Sequence, residues 1–344
     1  MARHILRRKF LTLLAAAFWL STSAAQAADA VLIEAAKKEG EVVWYTTQII
    51  NPLVVNLAAD FKSKYGVTLN YVRANSTELS LRIVNEARAG NLQADVYDGT
   101  TSAEIFKSEK LALQWVPDVA KSFPRDYVDP EGYWVATNYY INTAAFNTDL
   151  VQPGTEPTTW DALLDPKYRG QMVWGNSASV SAAAGFIGTV LKQLGDDRGM
   201  AYLRRIAGQK PASIGAAARV VIDQAISGEY KVALQIFPEH ADQDSGKGAP
   251  IKWIAMQPTM SAIVSTTGVL ANSPHPNAGK LLLDYLVSAD GQRFYREAFY
   301  SPANPLVEPI NPAFKPGKYS TLFLTPKEAM QELPKWMDIY RKLF

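Results

Sequence analysis

Glu41-Val-Val-Trp-Tyr-Thr46 opens an alternation of short strands and helices that decides the fold class. A helical pattern through Leu53, Leu57, Ala58 and Phe61 follows this β-prone run, and Gly66 stands where the helix would end at a C-cap. The next β-prone run, 67–72, leads into a second helical pattern. Strands separated by helices of this length predict βαβ units and a mainly parallel sheet.

The rest of the chain repeats this alternation after a long β-prone run at 134–143. The later predicted elements are a strand at 171–174, helices at 182–194 and 218–226, a strand at 232–237, and helices at 278–287 and 327–343. A second long β-prone run, 261–270, precedes the last two helices. Two α/β blocks joined by two long strands predict two lobes with a cleft between them, where open α/β sheets bind ligands.

The predicted fold class is therefore α/β, with two lobes that each hold a mainly parallel sheet flanked by helices. Two crossover strands join the lobes. The first lobe is predicted at 28–140 plus 262–312 and the second at 141–261 plus 313–344, after a signal peptide at 1–27.

The N-terminal segment has the pattern of a secretory signal peptide. Four basic residues come first, an apolar run at 11–20 follows, and the small-residue site Ala25-Gln-Ala27 ends the segment. Because four of the 35 basic residues and none of the 33 acidic ones lie there, cleavage after Ala27 leaves 317 residues with a net charge of −2. Arg7-Arg-Lys-Phe-Leu11 resembles the twin-arginine export motif, and the general secretory route stays open. Either route predicts a periplasmic protein.

Composition and charge exclude several classes of protein. Of the 344 residues, 48% are hydrophobic and 20% are charged, which excludes extended disorder, collagen and coiled coil. A net charge of only +2 offers no field to attract nucleic acid, so no nucleic-acid partner is expected. The chain has no cysteine, which excludes a thiol nucleophile, a thiolate metal site and a lipoprotein anchor.

Six short stretches along the mature chain carry a family resemblance. They are Ala35-Ala-Lys-Lys-Glu-Gly-Glu-Val-Val-Trp-Tyr-Thr-Thr47, Ala94-Asp-Val96, Phe146-Asn-Thr148, Thr159-Trp-Asp-Ala-Leu163, Pro166-Lys-Tyr-Arg-Gly170 and Ser288-Ala-Asp-Gly-Gln-Arg293. Together they resemble periplasmic solute-binding proteins of the ferric-ion and related type, which serve ATP-binding-cassette importers. The resemblance implies the two-lobed periplasmic-binding-protein fold and a receptor that closes on a small solute. It also implies the importer's membrane permease and ATPase subunits as partners, and we expect a monomer without a cofactor.

The chain departs from the ferric branch of that family at its metal-binding positions. Ile49 stands where that branch has a histidine, and Thr100 stands where it has a glutamate. Phe237-Pro-Glu-His240 occupies the stretch where it has two adjacent tyrosines. Iron(III) needs hard anionic oxygen donors, and the phenolates are missing. The resemblance therefore implies a small anionic organic solute, with ferric ion held by non-standard ligands as the alternative.

Polar residues at the ends of two predicted strands are candidate solute contacts. Thr46, Thr47 and Gln48 follow the first predicted strand, and Thr100 and Thr101 follow the third, which is predicted at 94–97. Their hydroxyl and amide groups can hold a ligand in the cleft. Capping of the following helix explains the residues after the first strand equally well. At Thr100 ligand contact is favoured over capping, because this residue matches a binding position of the family that the chain resembles.

Two further candidates suit an anion. Ser177 and Ser179 open a predicted helix, where free N–H groups and the positive end of the dipole attract negative charge. Arg219 lies in the first turn of the helix at 218–226, where a cation is unfavourable. It either pairs with Asp223 one turn later or binds a carboxylate or phosphonate in bidentate geometry.

Aromatic residues complete the candidate set. Tyr139 and Tyr140 lie on the first crossover strand, and strand alternation points one of them into the cleft. Phe237 opens the stretch that replaces the tyrosines of the ferric branch.

No catalytic apparatus is apparent in the sequence. Gly175-Asn-Ser-Ala-Ser179 lacks the final glycine of a hydrolase nucleophile elbow. Glu239, His240, Asp242 and Asp244 fall in a stretch predicted as a solvent-exposed loop, and their spacing does not fit a calcium loop. We therefore expect neither an enzyme nor a metal site, with an enzyme built on the same fold as the rival hypothesis.

Overall fold

The computed structural model describes residues 23–216 and 218–344. Most of the predicted signal peptide, 1–27, lies outside these residues. Among the described helices, none is long and apolar enough to cross a membrane.

The elements alternate as the sequence pattern predicts. The strands are β1 (Glu41–Thr46), β2 (Thr68–Arg73), β3 (Val96–Gly99), β4 (Val135–Asn147), β5 (Met172–Gly175), β6 (Ala212–Ile214), β7 (Val232–Ile236), β8 (Ile251–Ile254), β9 (Met260–Val269), β10 (Ser301–Pro302) and β11 (Thr321–Phe323). The helices are α1 (Ser23–Glu39), α2 (Val55–Tyr65), α3 (Ser76–Arg88), α4 (Ser102–Ser108), α5 (Ala183–Leu194), α6 (Asp196–Gly208), α7 (Ala218–Ile226), α8 (Pro238–Ser245), α9 (Pro276–Val287), α10 (Ala289–Glu297) and α11 (Pro326–Leu343).

Two parallel units lie at the ends of one long sheet path, β2-β1-β3-β9-β4-β7-β5-β6. Strands β2, β1 and β3 form the parallel unit of the first lobe, and β7, β5 and β6 form that of the second. The long strands β4 and β9 are antiparallel to each other and to the units they join. The two crossover strands of the sequence prediction are thus β4 and β9.

Strand β4 belongs to both lobes. Its first part, through Asn142, pairs with β9, and its last part, from Thr143, pairs with β7. The register shifts between Thr143 and Ala144. The chain therefore passes from one lobe to the other at this irregularity.

Large aromatic side chains fill the core beneath each unit. Trp44 of β1 and Trp174 of β5 are both fully buried. In the second lobe α11 packs on α5, and Gly188 permits the close approach. A Cβ atom there would lie 2.6 Å from the indole ring of Trp336. Such burial of apolar area is the main source of stability.

The structure confirms one local prediction and corrects two. Gly66 ends α2 with a φ of +74° at the C-cap, as predicted. Helix α2 begins at Val55, so Leu53, which was predicted to belong to it, lies in a separate turn before it. The stretch 239–244 is not a solvent loop but part of α8, because Pro238 fits the first turn of a helix.

Candidate functional site

A cavity of about 290 Å³ lies between the two lobes. The first lobe contributes the turn after β1, at Ile49, and the chain after α10, at Tyr300. The second lobe contributes Arg219 of α7 and the beginning of α8. Tyr140 of the crossover strand β4 lies between them. The cavity thus lies where the sequence predicts the ligand cleft.

Stacked aromatic rings form one wall of the cavity. The rings of Tyr140 and Phe237 stack with centroids 4.7 Å apart and 28° between their planes. Tyr300 meets Tyr140 edge-on at 5.8 Å, and His240 meets Phe237 edge-on at 5.6 Å. Such arrangements are favourable between aromatic side chains, so the wall is well defined without a ligand.

Glu239 places a buried carboxyl group in the cavity. The residue is 5% exposed, and neither of its carboxyl oxygens has a hydrogen-bond partner in the described structure. Burial raises the pKa of Glu239 to about 8, although its own backbone N–H and the Ser301 hydroxyl nearby act in the opposite direction. This carboxyl group is therefore mainly the neutral acid at pH 7.

Arg219 reaches the cavity with its guanidinium group already paired. Nη2 lies 2.5 Å from Oδ1 of Asp223, one turn later on α7, and Nη1 lies 2.6 Å from Oδ2 of Asp244 on α8. The Asp244 side chain is only 13% exposed, whereas that of Asp223 is 49% exposed. Arg219 therefore forms the predicted ion pair with Asp223 and also lines the cavity.

His240 is neutral in this setting. Burial, followed by the charge of Arg219, lowers the pKa of His240 to about 4. Its Nδ1 atom has no hydrogen-bond partner in the described structure. It can accept or donate one hydrogen bond to a ligand.

A second polar cluster lies at the ends of β1 and β3, around Asp98. The Thr46 hydroxyl donates to one carboxylate oxygen of Asp98, and the Thr47 backbone N–H donates to the other at 2.8 Å. Gln48 Nε2 donates at 3.3 Å to Asn138 Oδ1 on β4 and also reaches Ser265 on β9. Burial raises the pKa of Asp98 to about 6, with these donors opposing the shift.

The three sequence candidates Thr46, Thr47 and Gln48 thus belong to the Asp98 cluster. They do not line the cavity, and their polar groups tie the end of β1 to β3 and to both crossover strands. Thr46 and Gln48 are almost fully buried, which accounts for their polar side chains by internal hydrogen bonding.

The structure does not bring the remaining hydroxyl candidates to the cavity. Thr100 and Thr101 are half-buried after β3, and the Thr101 side chain makes no cap to α4. Ser177 is exposed after β5. The Ser179 hydroxyl lies 2.9 Å from that of Ser181 in the same loop.

The two adjacent tyrosines of β4 point to opposite faces. Tyr140 lines the cavity, whereas Tyr139 stacks on Tyr127 and donates a hydrogen bond to Thr321 at 3.2 Å. Tyr139 is therefore part of the packing behind the cleft.

The structure brings together three of the sequence candidates: Tyr140, Arg219 and Phe237. It adds Glu239 and Tyr300, which sequence reasoning missed. The signal for Glu239 was available, because a proline directly after a strand favours the first turn of a helix and places the next side chain near the strand end. No local pattern marks Tyr300.

No metal cluster is formed by the acidic and histidine side chains of residues 23–216 and 218–344, since no three of them are placed to share an ion. Phenol groups are a different donor type. The hydroxyl-bearing rings of Tyr140 and Tyr300 both line the cavity.

Comparisons with known proteins agree with this architecture. A family model described as bacterial extracellular solute-binding protein matches residues 94–322. Iron uptake protein A2 of Synechocystis sp. is 26% identical over 244 residues, which cover 67% of this chain and 69% of that protein. A probable ABC transporter periplasmic-binding protein of Sinorhizobium fredii is 24% identical over 245 residues, which cover 68% and 66%.

Solved structures of similar fold include two with different ligands. Iron-bound HitA from Pseudomonas aeruginosa has a TM-score of 0.73 at 18% identity, covering 88% of this chain and 99% of that one. AfuA from Actinobacillus pleuropneumoniae with fructose-6-phosphate has a TM-score of 0.73 at 21% identity, with the same coverage. These likenesses establish the two-lobed fold of periplasmic binding proteins and leave the ligand class open.

Proposed function

The chain belongs to the bacterial extracellular solute-binding protein family, and we propose that it captures a small organic solute with an anionic group between its two lobes. The loaded receptor delivers this solute to the membrane permease and ATPase subunits of an ATP-binding-cassette importer. It acts as a non-catalytic receptor in the periplasm after removal of the signal peptide.

The cavity between the lobes is the observation that carries this proposal. Its wall combines Ile49 and Tyr300 from one lobe with Arg219 and Phe237 from the other. A solute that contacts both lobes stabilises their approach and is shielded from water. A closed, loaded form is what an importer can distinguish from an empty one.

Arg219 is the proposed contact for the anionic group. Its pair with Asp223 joins two partly exposed side chains and contributes little free energy. The more buried Asp244 holds the guanidinium in place from the other side. A carboxylate or phosphonate can therefore replace Asp223 and accept two parallel hydrogen bonds.

Ferric ion is the alternative cargo, because the names of several similar proteins refer to iron and two phenols line the cavity. The side chains that could donate to a metal ion in this cavity argue against ferric ion. Burial raises the pKa of Tyr140 well above its ordinary value and that of Tyr300 to about 12, which disfavours the phenolates that iron(III) requires. Ile49 also offers no donor atom at the position it holds in the cavity.

Non-catalytic action is supported by the state of His240. Its Nδ1 atom is unpartnered, and its low pKa leaves it a weak base. A nucleophile–base pair of the kind that hydrolases use is therefore not assembled at this cavity.

Native mass spectrometry of the protein purified from the periplasm of its own host tests the proposal. We expect a bound organic acid whose mass is lost on denaturation. A ferric adduct with a visible tyrosinate charge-transfer band would instead support the alternative. Turnover of the bound solute during incubation would contradict the non-catalytic role.

A further inference from the structure

Glu239 is a buried acid with little internal hydrogen bonding. It is 5% exposed, lines the cavity, and neither carboxyl oxygen has a well-formed hydrogen bond in the described structure. The one side chain that acts on it as a donor is the Ser301 hydroxyl. Burial of a carboxyl group with so few partners costs free energy, so further partners are expected to come from the ligand.

Aromatic rings line the same cavity as this carboxyl group. They belong to Tyr140, Phe237, Phe299 and Tyr300. The face of an aromatic ring carries partial negative charge and attracts an ammonium group within about 6 Å. A cavity that combines a carboxyl group with aromatic rings suits a cation.

Phe299 adds a further ring to this wall and is 42% exposed. Its φ of +66° belongs to the left-handed turn that ends α10, where the Phe299 N–H donates to the Arg296 carbonyl and the Tyr300 N–H to the Tyr295 carbonyl, each at 2.9 Å. The exposed part of the ring is available to a ligand in the cavity.

The remaining charges at the cavity do not repel a cation. Arg219 is its one positively charged lining residue in the described structure, and it faces the two carboxylates of Asp223 and Asp244.

We propose that the solute is a zwitterion whose protonated amine binds Glu239 between the aromatic rings while Arg219 holds its anionic group. This inference rests on the proposed function, since it specifies the solute of the same cavity. Binding is coupled to proton release. The neutral Glu239 acid loses its proton to solvent, and the resulting carboxylate accepts hydrogen bonds from the ammonium group.

The coupling has a definite sign. Since burial raises the pKa of Glu239 to about 8, protons compete with the amine below that pH. Affinity for a zwitterion should rise roughly five- to tenfold per pH unit between pH 6 and 8. An anion without an amine gains nothing from ionised Glu239, so its affinity should stay level or fall.

The protein is first unfolded and refolded to remove any retained solute. Two matched pairs of probes are then tested for binding. The pairs are 3-aminopropylphosphonate with propylphosphonate, and 4-aminobutyrate with butyrate. Calorimetric titration and thermal shift at pH 6, 7 and 8 would measure binding. We expect at least one amine to bind tighter than its counterpart, with affinity rising with pH and protons released in buffers of different ionisation enthalpy.

Two variants assign the effect to Glu239. Glu239→Gln keeps the shape and is expected to lose tenfold or more in affinity for the amine and to lose the pH dependence. Glu229→Gln, at an exposed position of the same lobe, should leave both unchanged.

Several results would overturn the inference. Equal binding of the amine-free probes, no binding of either pair at 10 mM, or unchanged amine affinity in Glu239→Gln would each exclude a zwitterion held in this way. The proposed function is judged separately. A retained organic acid without a basic nitrogen, found by native mass spectrometry, would uphold the receptor and reject the zwitterion.

Discussion

The rings of Tyr140 and Phe237 stack 4.7 Å apart and join the crossover strand β4 to the first residue before α8. Tyr140 belongs to the strand that both lobes share, and Phe237 belongs to the second lobe alone. The contact therefore packs the beginning of α8, in the second lobe, against the crossover strand β4.

Removing the ring of Phe237 should disturb both stability and capture. Phe237→Ala removes a half-buried ring and its stacking contact with Tyr140, so we expect a loss of about 1–3 kcal/mol in the free energy of unfolding. Retention of the native solute should also fall. Denaturant unfolding and native mass spectrometry check the two effects.

Tyr140→Phe is the matched control, because it keeps the stacked ring and removes only the hydroxyl group. It should retain an organic solute. If the cargo were iron held by phenolate, this variant would lose it. Full solute occupancy in Phe237→Ala would show that the stacked wall has no role in binding.

Arg219 and Asp223 should have opposite effects on capture. Arg219→Ala is expected to abolish most of the solute-induced rise in melting temperature. It should lower the stability of the empty protein by no more than about 1 kcal/mol, because the pair with Asp223 is exposed and only Asp244 loses a partly buried partner. Thermal shift with the native solute makes the measurement.

Asp223→Ala should preserve or increase solute affinity, since it frees one edge of the guanidinium. Asp244→Ala, which removes the more buried support, should weaken affinity. An Arg219→Ala protein with wild-type affinity would return Arg219 to a purely structural role.

The pH dependence of stability should show the buried acid directly. The pKa of Glu239 is raised from 4.5 to about 8, so the folded protein binds more protons than the unfolded chain between these values. Stability must therefore fall as pH rises through this window, by at most about 1.4 kcal/mol per pH unit. Urea unfolding of the empty protein at pH 6.5, 7.25 and 8 measures the slope.

Two other buried groups change the pH dependence of stability below that window. His240, with its pKa lowered to about 4, makes stability rise with pH from about 4 to 6.5. Asp98, with its pKa raised to about 6, acts in the opposite direction below 6. Glu239→Gln should flatten the profile above pH 6.5, and an unchanged slope in this variant would reject a buried acid with a raised pKa at that position.

Close packing of α5 on α11 should be sensitive to a single methyl group. In Gly188→Ala the added Cβ would lie 2.6 Å from Trp336, so we expect a destabilisation of about 1–3 kcal/mol. Gly208→Ala, at the end of α6 with open space around it, should instead stabilise by about 0.5–1 kcal/mol. Equal stability of the two variants would contradict the packing described.

Sequence periodicity predicted most of the fold because each strand and helix carries its own local signal. The β-prone runs at 41–46 and 171–174 coincide with β1 and β5 to within one residue. The stretch 239–244 was mistaken for a loop, since its charged residues hide the fact that Glu239 and Ala241 face inward. Burial of charge depends on tertiary contacts, which no short pattern encodes.

The candidate site was predicted less completely than the fold, for a related reason. Hydroxyl groups at strand ends suggest ligand contacts, yet such groups also satisfy buried carboxylates, as Thr46 and Thr47 do for Asp98. Whether a hydroxyl group contacts a ligand or an internal carboxylate depends on residues that are distant in sequence. Tyr300 reaches the cavity only because the chain after α10 returns beside β4.

The register shift between Thr143 and Ala144 has a mechanical consequence. Gln48 joins the end of β1 to Asn138 and Ser265, so we expect the crossover strands up to this region to move with the first lobe. Beyond it, β4 pairs with β7 and is expected to move with the second lobe. Because the hydrogen-bond ladder is irregular at that point, it is where we expect the lobes to rotate against each other. Tyr140 lies three residues before it and lines the cavity, so its ring is expected to stay close to the solute during such a rotation.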